Sequence, residues 1–162
     1  MLKQEMYQMH IRMLLKRYNI RVLKWIHWGN RGATGYAYLG ERKVIIPIPK
    51  TLKSFYIALH EIGHIVRRFT SGDEYYLEYL AETWAFNHME QWGYDIPIKY
   101  RWQAKAYVFK YLIKDWKSGK INRSNVKKEV VKWLGITLAE LDMATWDPVG
   151  FGILLRQTGS LK

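Results

Sequence analysis

The sequence predicts an α+β chain: a small antiparallel or mixed sheet beside one strongly patterned helix, followed by a mostly helical C-terminal half. Three observations carry that prediction. Runs rich in β-branched and aromatic residues, broken by glycine-containing turns, fill positions 20–49. From Phe55 to Phe69, the apolar residues Phe55, Ala58, Leu59, Ile62, Ile65, Val66 and Phe69 recur at the spacing of one helix face. Beyond position 95, apolar seams at helical spacing are bordered by lysine and arginine.

The elements follow in order. Met1 to Leu15 is amphipathic, with charges scattered through it, and lacks the continuous apolar core of a signal peptide. Ile20 to Trp28 reads as a strand ending at Gly29-Asn30-Arg31-Gly32. Tyr36–Leu39 and Val44–Pro49 read as a hairpin around Gly40-Glu41-Arg42-Lys43. Pro47 and Pro49 suit only a sheet edge or a strand end, because proline donates nothing to a ladder. Ser71-Gly72-Asp73 stops the patterned helix, and an acidic second helix runs from about Glu74 to Gln91, with Leu77, Leu80, Ala81, Trp84 and His88 as its packing stripe. Ala104, Tyr107, Val108, Tyr111 and Leu112 form the seam of a further helix that breaks at Ser118-Gly119-Lys120. Asn122 or Ser124 is a candidate cap for a helix through Val126, Val130, Val131 and Leu134 to Gly135, and Thr137 opens a short helix over Leu138–Leu141. From Trp146 onward the chain reads as irregular structure or a docking tail.

At 162 residues this is one domain with room for a real core, in three parts: 1–53, 54–92 and 93–162. There are no cysteines, so disulfides and thiolate metal sites are excluded. No stretch approaches the roughly 20 apolar residues of a membrane span, and a cytoplasmic protein is the expectation.

Chemistry enters at His60-Glu61-Ile62-Gly63-His64. Residues four apart on a helix stand one above the other, so His60 and His64 can offer two imidazoles to one metal ion. Glu61 lies about 100° around the helix from His60, beside such an ion and not on it, where a carboxylate can take a proton from the reacting water. All three fall off the apolar stripe. Gly63 costs helix propensity and fits either a chain passing close by or two helices packed at short range. A catalytic zinc site needs a third protein ligand. Glu82, on the acidic second helix, is the first candidate, and Glu78, four residues earlier on the same face, is the reserve. If Glu78 is not the ligand, it can hydrogen-bond a ligand histidine. Tyr75, Tyr79 and His88 are within sequence reach as oxyanion donors, with nothing to choose among them.

His-Glu-Ile-Gly-His, followed eighteen residues later by Glu82 within Ala81-Glu82-Thr83-Trp84-Ala85-Phe86, resembles the zincin metallopeptidases whose third ligand is glutamate. More narrowly it is similar to the small ImmA/IrrE-type peptidases of phages and mobile elements, whose third-ligand segment reads roughly E-A-x-x-F-A. Glu82 and Phe86 match that pattern; Thr83 and Asn87 stand where alanines are usual. The likeness covers about residues 35–92. It implies a zincin-like fold and a zinc-dependent peptidase in which His60, His64 and Glu82 hold Zn2+ and Glu61 is the general base. It also implies a protein or peptide substrate, with regulatory proteins as the class often cut. In small zincins a sheet edge pairs with extended substrate, and the 36–49 hairpin is the candidate here.

Charge is distributed unevenly. Residues 1–53 carry a net +9, residues 54–94 a net −4, residues 95–134 a net +8 and the remainder −1. The acidic middle suits a dication. The basic flanks, 1–53 and 95–134, suit nucleic acid, so a DNA-binding protein with a structural or vestigial zinc site is the rival reading, and a small acidic protein is a further possible partner. The C-terminal helices read as a cap on the core or as a helix-turn-helix-like DNA reader. The heavy aromatic load is assigned mainly to core packing, with Trp102 and Trp116, beside lysines, as candidates for stacking bases.

Overall fold

A computed structural model describes residues 2–27, 35–67 and 72–144. The chain forms two compact units, one of residues 1–71 and 80–94, the other of 72–79 and 95–162. In chain order the elements are α1 (Lys3–Arg17), β1 (Arg21–Ile26), β2 (Tyr36–Tyr38), β3 (Lys43–Pro47), α2 (Leu52–Arg67), α3 (Glu74–Gln91), α4 (Ile98–Lys117), α5 (Lys128–Leu134) and α6 (Leu138–Met143). The architecture is α+β with a small mixed sheet.

In the first unit the strand order is β1-β3-β2. β2 and β3 make the expected antiparallel hairpin, closed by a 3-10 turn at Leu39–Glu41 and by Arg42 in the left-handed region (φ 51°). β1 pairs with β3 in parallel, with a bulge between Val22 and Lys24. β3 is therefore central, and Pro47 is tolerated because it is the last residue of its strand. Val44 and Ile46 are fully buried on the face that meets α2, while α1 packs against α2.

α2 begins at a reciprocal cap. The Thr51 hydroxyl accepts from the Ser54 N–H (3.2 Å), and the Ser54 hydroxyl accepts from the Thr51 N–H (2.9 Å). Its stripe is buried as patterned: Phe55, Ala58, Leu59, Ile62 and Ile65 are all at 0 % exposure. An aromatic cluster ties α1 to α2 and to the end of α3, with Tyr7 stacked on Phe55 at 4.8 Å and His10 on Trp92 at 4.1 Å. Gly63 resolves the choice left open by the sequence. A β-carbon there would stand 3.1 Å from the Ala81 carbonyl oxygen and 3.2 Å from its Cα, so the glycine lets α2 and α3 approach backbone to backbone.

In the second unit, α4, α5 and α6 close around a core that includes Val108, Phe109, Leu112, Val130, Leu134 and Leu141. Trp102 and Trp116 pack against this core, which gives their aromatic bodies a structural place. The expected helix from Asn122 or Ser124 starts later, at Lys128. Asn122 spends its side chain on a turn, accepting from the Ser124 N–H at 2.8 Å, and no side chain caps α5 at Lys127. Gly135 ends α5 in the left-handed conformation (φ 77°), and Thr137 caps α6 with Glu140 in a reciprocal box. The α5–turn–α6 sequence has the short glycine turn of a helix-turn-helix. α6 exposes Ala139, Asp142 and Met143 and holds no lysine or arginine. Among the described residues no helix is long and apolar enough to cross a membrane. The tail from Trp146, Phe69 and Ser71 after α2, and the strand end at Trp28 with Gly29-Asn30-Arg31-Gly32 lie outside the described residues.

Candidate metal centre

α2 presents His60 and His64 as the helical repeat requires, with ring centroids 4.6 Å apart and planes nearly perpendicular. Their Nε2 atoms face each other at 3.1 Å. Two such nitrogens can share one proton or hold one metal ion between them. Tetrahedral zinc with ligands at about 2.0–2.1 Å separates neighbouring ligand atoms by roughly 3.3 Å, so the observed spacing fits the ion without rearranging either ring.

α3 carries both candidate carboxylates, one helical turn apart, and their surroundings differ. Ligand atoms of His60, His64 and Glu78 all lie within 4.8 Å of one another. Glu82 instead turns Oε1 toward the far nitrogen of His60, Nδ1, at 3.3 Å. Its Oε2 accepts a short hydrogen bond from the Tyr56 hydroxyl. Glu82 is 3 % exposed. Burying a carboxylate this far is costly unless its oxygens find donors, and here the tyrosine O–H supplies one. Tyr56 is held in turn by stacking on Phe86, at 5.3 Å and 7° between planes. The geometry thus reads outward as Tyr56, Glu82, His60 Nδ1, and on the other side of the ring Nε2 facing His64.

Glu61 is 8 % exposed, not on an open helix face as its position off the apolar stripe suggested. The chain entering β2 covers it. A β-carbon at Gly35 would stand 2.6 Å from Glu61 Oε1, inside contact distance, so only glycine allows the backbone to run this close to the carboxylate.

Each of the candidate oxyanion donors has contacts of its own. The Tyr75 hydroxyl accepts from the Lys127 N–H at 3.0 Å, and burial pushes its pKa up. Tyr79 lies against Tyr76 and Trp133. His88 holds Nδ1 at 3.0 Å from the Trp84 carbonyl oxygen and stacks on the Trp84 ring, with burial lowering its pKa.

Two residues of the site escaped the sequence reading. Tyr56 had a signal: it precedes His60 by one helical turn and so shares its face. Gly35 had none, since its meaning lies in a contact with a residue twenty-six positions away.

Family models, curated proteins and solved structures were compared with the chain. None matches.

Proposed function

We propose that this chain is a zinc-dependent metallopeptidase. The observation that carries the proposal is the convergence of His60 Nε2 and His64 Nε2 at 3.1 Å, with a carboxylate of α3 beside them and Glu61 buried next to the pair. In this reading His60, His64 and Glu78 hold the ion. Glu82, the first candidate for the third ligand on sequence grounds, is assigned to orient His60, because its two oxygens are directed at Nδ1 and at Tyr56. The two glutamates thereby exchange the roles that the sequence pattern favoured.

A bound zinc ion would supply Lewis acidity, which acidifies water and polarises a peptide carbonyl. The side chains do the rest. Glu82, with Oε1 3.3 Å from His60 Nδ1, favours a proton on that nitrogen through its charge and so leaves the Nε2 lone pair for the ion. Glu61 takes a proton from the attacking water and returns it to the leaving amine. The Gly35 backbone that covers Glu61 holds its carboxylate in place for this. β2, an edge of the three-stranded sheet, begins at the glycine that covers Glu61, so an extended substrate added to this edge is led toward the base.

The test pairs metal content with peptide hydrolysis. The purified protein is expected to hold about one zinc per chain and to cleave an unstructured protein such as casein. Glu61→Gln is expected to keep its zinc while losing on the order of 10²–10⁴-fold in rate, the usual worth of a general base. A well-folded wild type that takes up no zinc, or a Glu61→Gln protein as active as wild type, would defeat the proposal.

A further inference from the structure

The exposed residues of α4 beyond Ile98 are Lys99, Gln103, Tyr107, Lys110, Lys114 and Lys117. Their spacing of three and four places them on a single stripe, which runs roughly 27 Å from Lys99 to Lys117 at the usual helical rise. Four of the six are lysines and none is acidic. We infer that this stripe is a binding surface for single-stranded nucleic acid, with the lysines against phosphates and Tyr107 against a base.

Two features of the stripe work against the helix that carries it. Lys110 and Lys114 are like charges one turn apart, and Lys99 sits in the first turn, where the helix dipole favours an acid and where α4 has none. A face that served only to solvate the helix would relieve both by mixing in glutamate. A polyanion relieves both at once. The stripe is also aromatic. Tyr107 is 40 % exposed, and its hydroxyl meets that of Tyr111 at 3.2 Å, which holds the two rings edge to face with centroids 5.2 Å apart. Lys110 and Lys114 flank the Tyr111 ring at 5.7 and 6.0 Å. Cations interleaved with an exposed ring are the combination that binds a strand through its backbone and stacks a base. A duplex, whose bases are already stacked, has no use for Tyr107. Glu74 lies 3.1 Å from Lys114; both groups are exposed, so the pair is weak and a phosphate displaces it. The surrounding segment, 95–134, carries a net +8. The inference is independent of the metal centre, since no residue of the stripe takes part in it.

The experiment is fluorescence anisotropy of a labelled mixed-sequence DNA strand about 12 nucleotides long, within the usual span of a single-strand site. The full-length protein is titrated at several salt concentrations. Four phosphate contacts predict a log–log slope of about −3 and a loss of about fifty-fold between 50 and 200 mM salt. Replacing Lys99, Lys110, Lys114 and Lys117 by glutamine should weaken binding at least tenfold and flatten the slope. Tyr107→Ala should weaken the strand by about fivefold or more and leave binding of the matching duplex unchanged. Glutamine at Lys3, Lys16, Lys24 and Lys50 removes the same charge from the first unit and should leave affinity within about twofold. Circular dichroism and thermal melting confirm that each variant is folded. No binding at 50 mM salt, equal losses in the two quadruple variants, or a duplex bound as tightly as the strand would overturn the inference.

Discussion

The division of labour between Glu78 and Glu82 makes a quantitative prediction. If Glu82 acts on zinc only through His60, then Glu82→Gln keeps three protein ligands and loses only the charge that fixes the ring. Its Oε1 lies 3.3 Å from His60 Nδ1 while its Oε2 is occupied by Tyr56, so neither oxygen is directed at the Nε2 pair. Loss of such an orienting carboxylate typically weakens metal binding 10–100-fold, equivalent to about 1.4–2.7 kcal/mol. Tyr56→Phe leaves the carboxylate but removes its donor, so its effect on zinc affinity should be smaller. It should nevertheless destabilise the metal-free protein by about 1–3 kcal/mol, because a buried carboxylate oxygen is left without that partner. Glu78→Ala removes a ligand, and its zinc affinity should fall well below that of Glu82→Gln. The assay is competition for zinc against a chromogenic chelator at neutral pH, with thermal melts of the metal-free proteins alongside. A Glu78→Ala protein within threefold of wild type, together with a Glu82→Gln protein that no longer holds zinc, would refute the assignment and make Glu82 the third ligand.

Three further outcomes follow from the same geometry. Gly35→Ala places a methyl group 2.6 Å from Glu61 Oε1, so the carboxylate must move; displacement of a catalytic group by about 1 Å costs on the order of 10²-fold in rate, and peptide hydrolysis should fall by that much with zinc content unchanged. Gly63→Ala gains about 1 kcal/mol of helix propensity but meets backbone atoms of Ala81 at 3.1–3.2 Å, which cannot yield as a flexible side chain can. Overpacking of this kind costs about 1–3 kcal/mol, so the melting temperature should fall despite the better helix former; a rise would show that the helices separate freely. His10 and His88 both have pKa values lowered chiefly by burial, so near pH 6 the unfolded chain binds more protons than the folded one. Stability of the metal-free protein should therefore rise with pH through the ordinary histidine range and fall on acidification below it. Thermal melts at pH 5.5 and 7.5 test this, and His88→Gln should flatten the difference, as it removes one of the two groups that must charge.

Much of this architecture is legible in local patterning. The stripe from Phe55 to Phe69 predicted α2, the acidic run predicted α3 over its full observed length, and the two aromatic and β-branched runs around Gly40-Glu41-Arg42-Lys43 predicted the β2–β3 hairpin. The Gly135 stop and the Thr137 start were readable because caps are made by residues within a few positions of one another. Asn122 misled for a related reason: an asparagine that can cap a helix can also close a turn, and the choice depends on where the following chain is anchored.

The sequence by itself determined which side chains converge along a helix. His60 and His64 share a face because the repeat of α2 puts them there, and their Nε2 atoms lie 3.1 Å apart. Only the tertiary structure decided what stands around them. Glu78 and Glu82 are both acidic and one turn apart on the same helix, and the sequence separates them only through the likeness of the Glu82 segment to a family pattern. The close approach of α3 to α2 where Gly63 meets Ala81 accompanies the burial of Glu82 against His60 Nδ1 and Tyr56. The burial of Glu61 is likewise a property of the chain that enters β2 at Gly35 and not of α2. Helix periodicity is local and survives in the sequence, whereas the roles of two like carboxylates depend on ångström-scale contacts between distant segments, for which a single sequence holds no record.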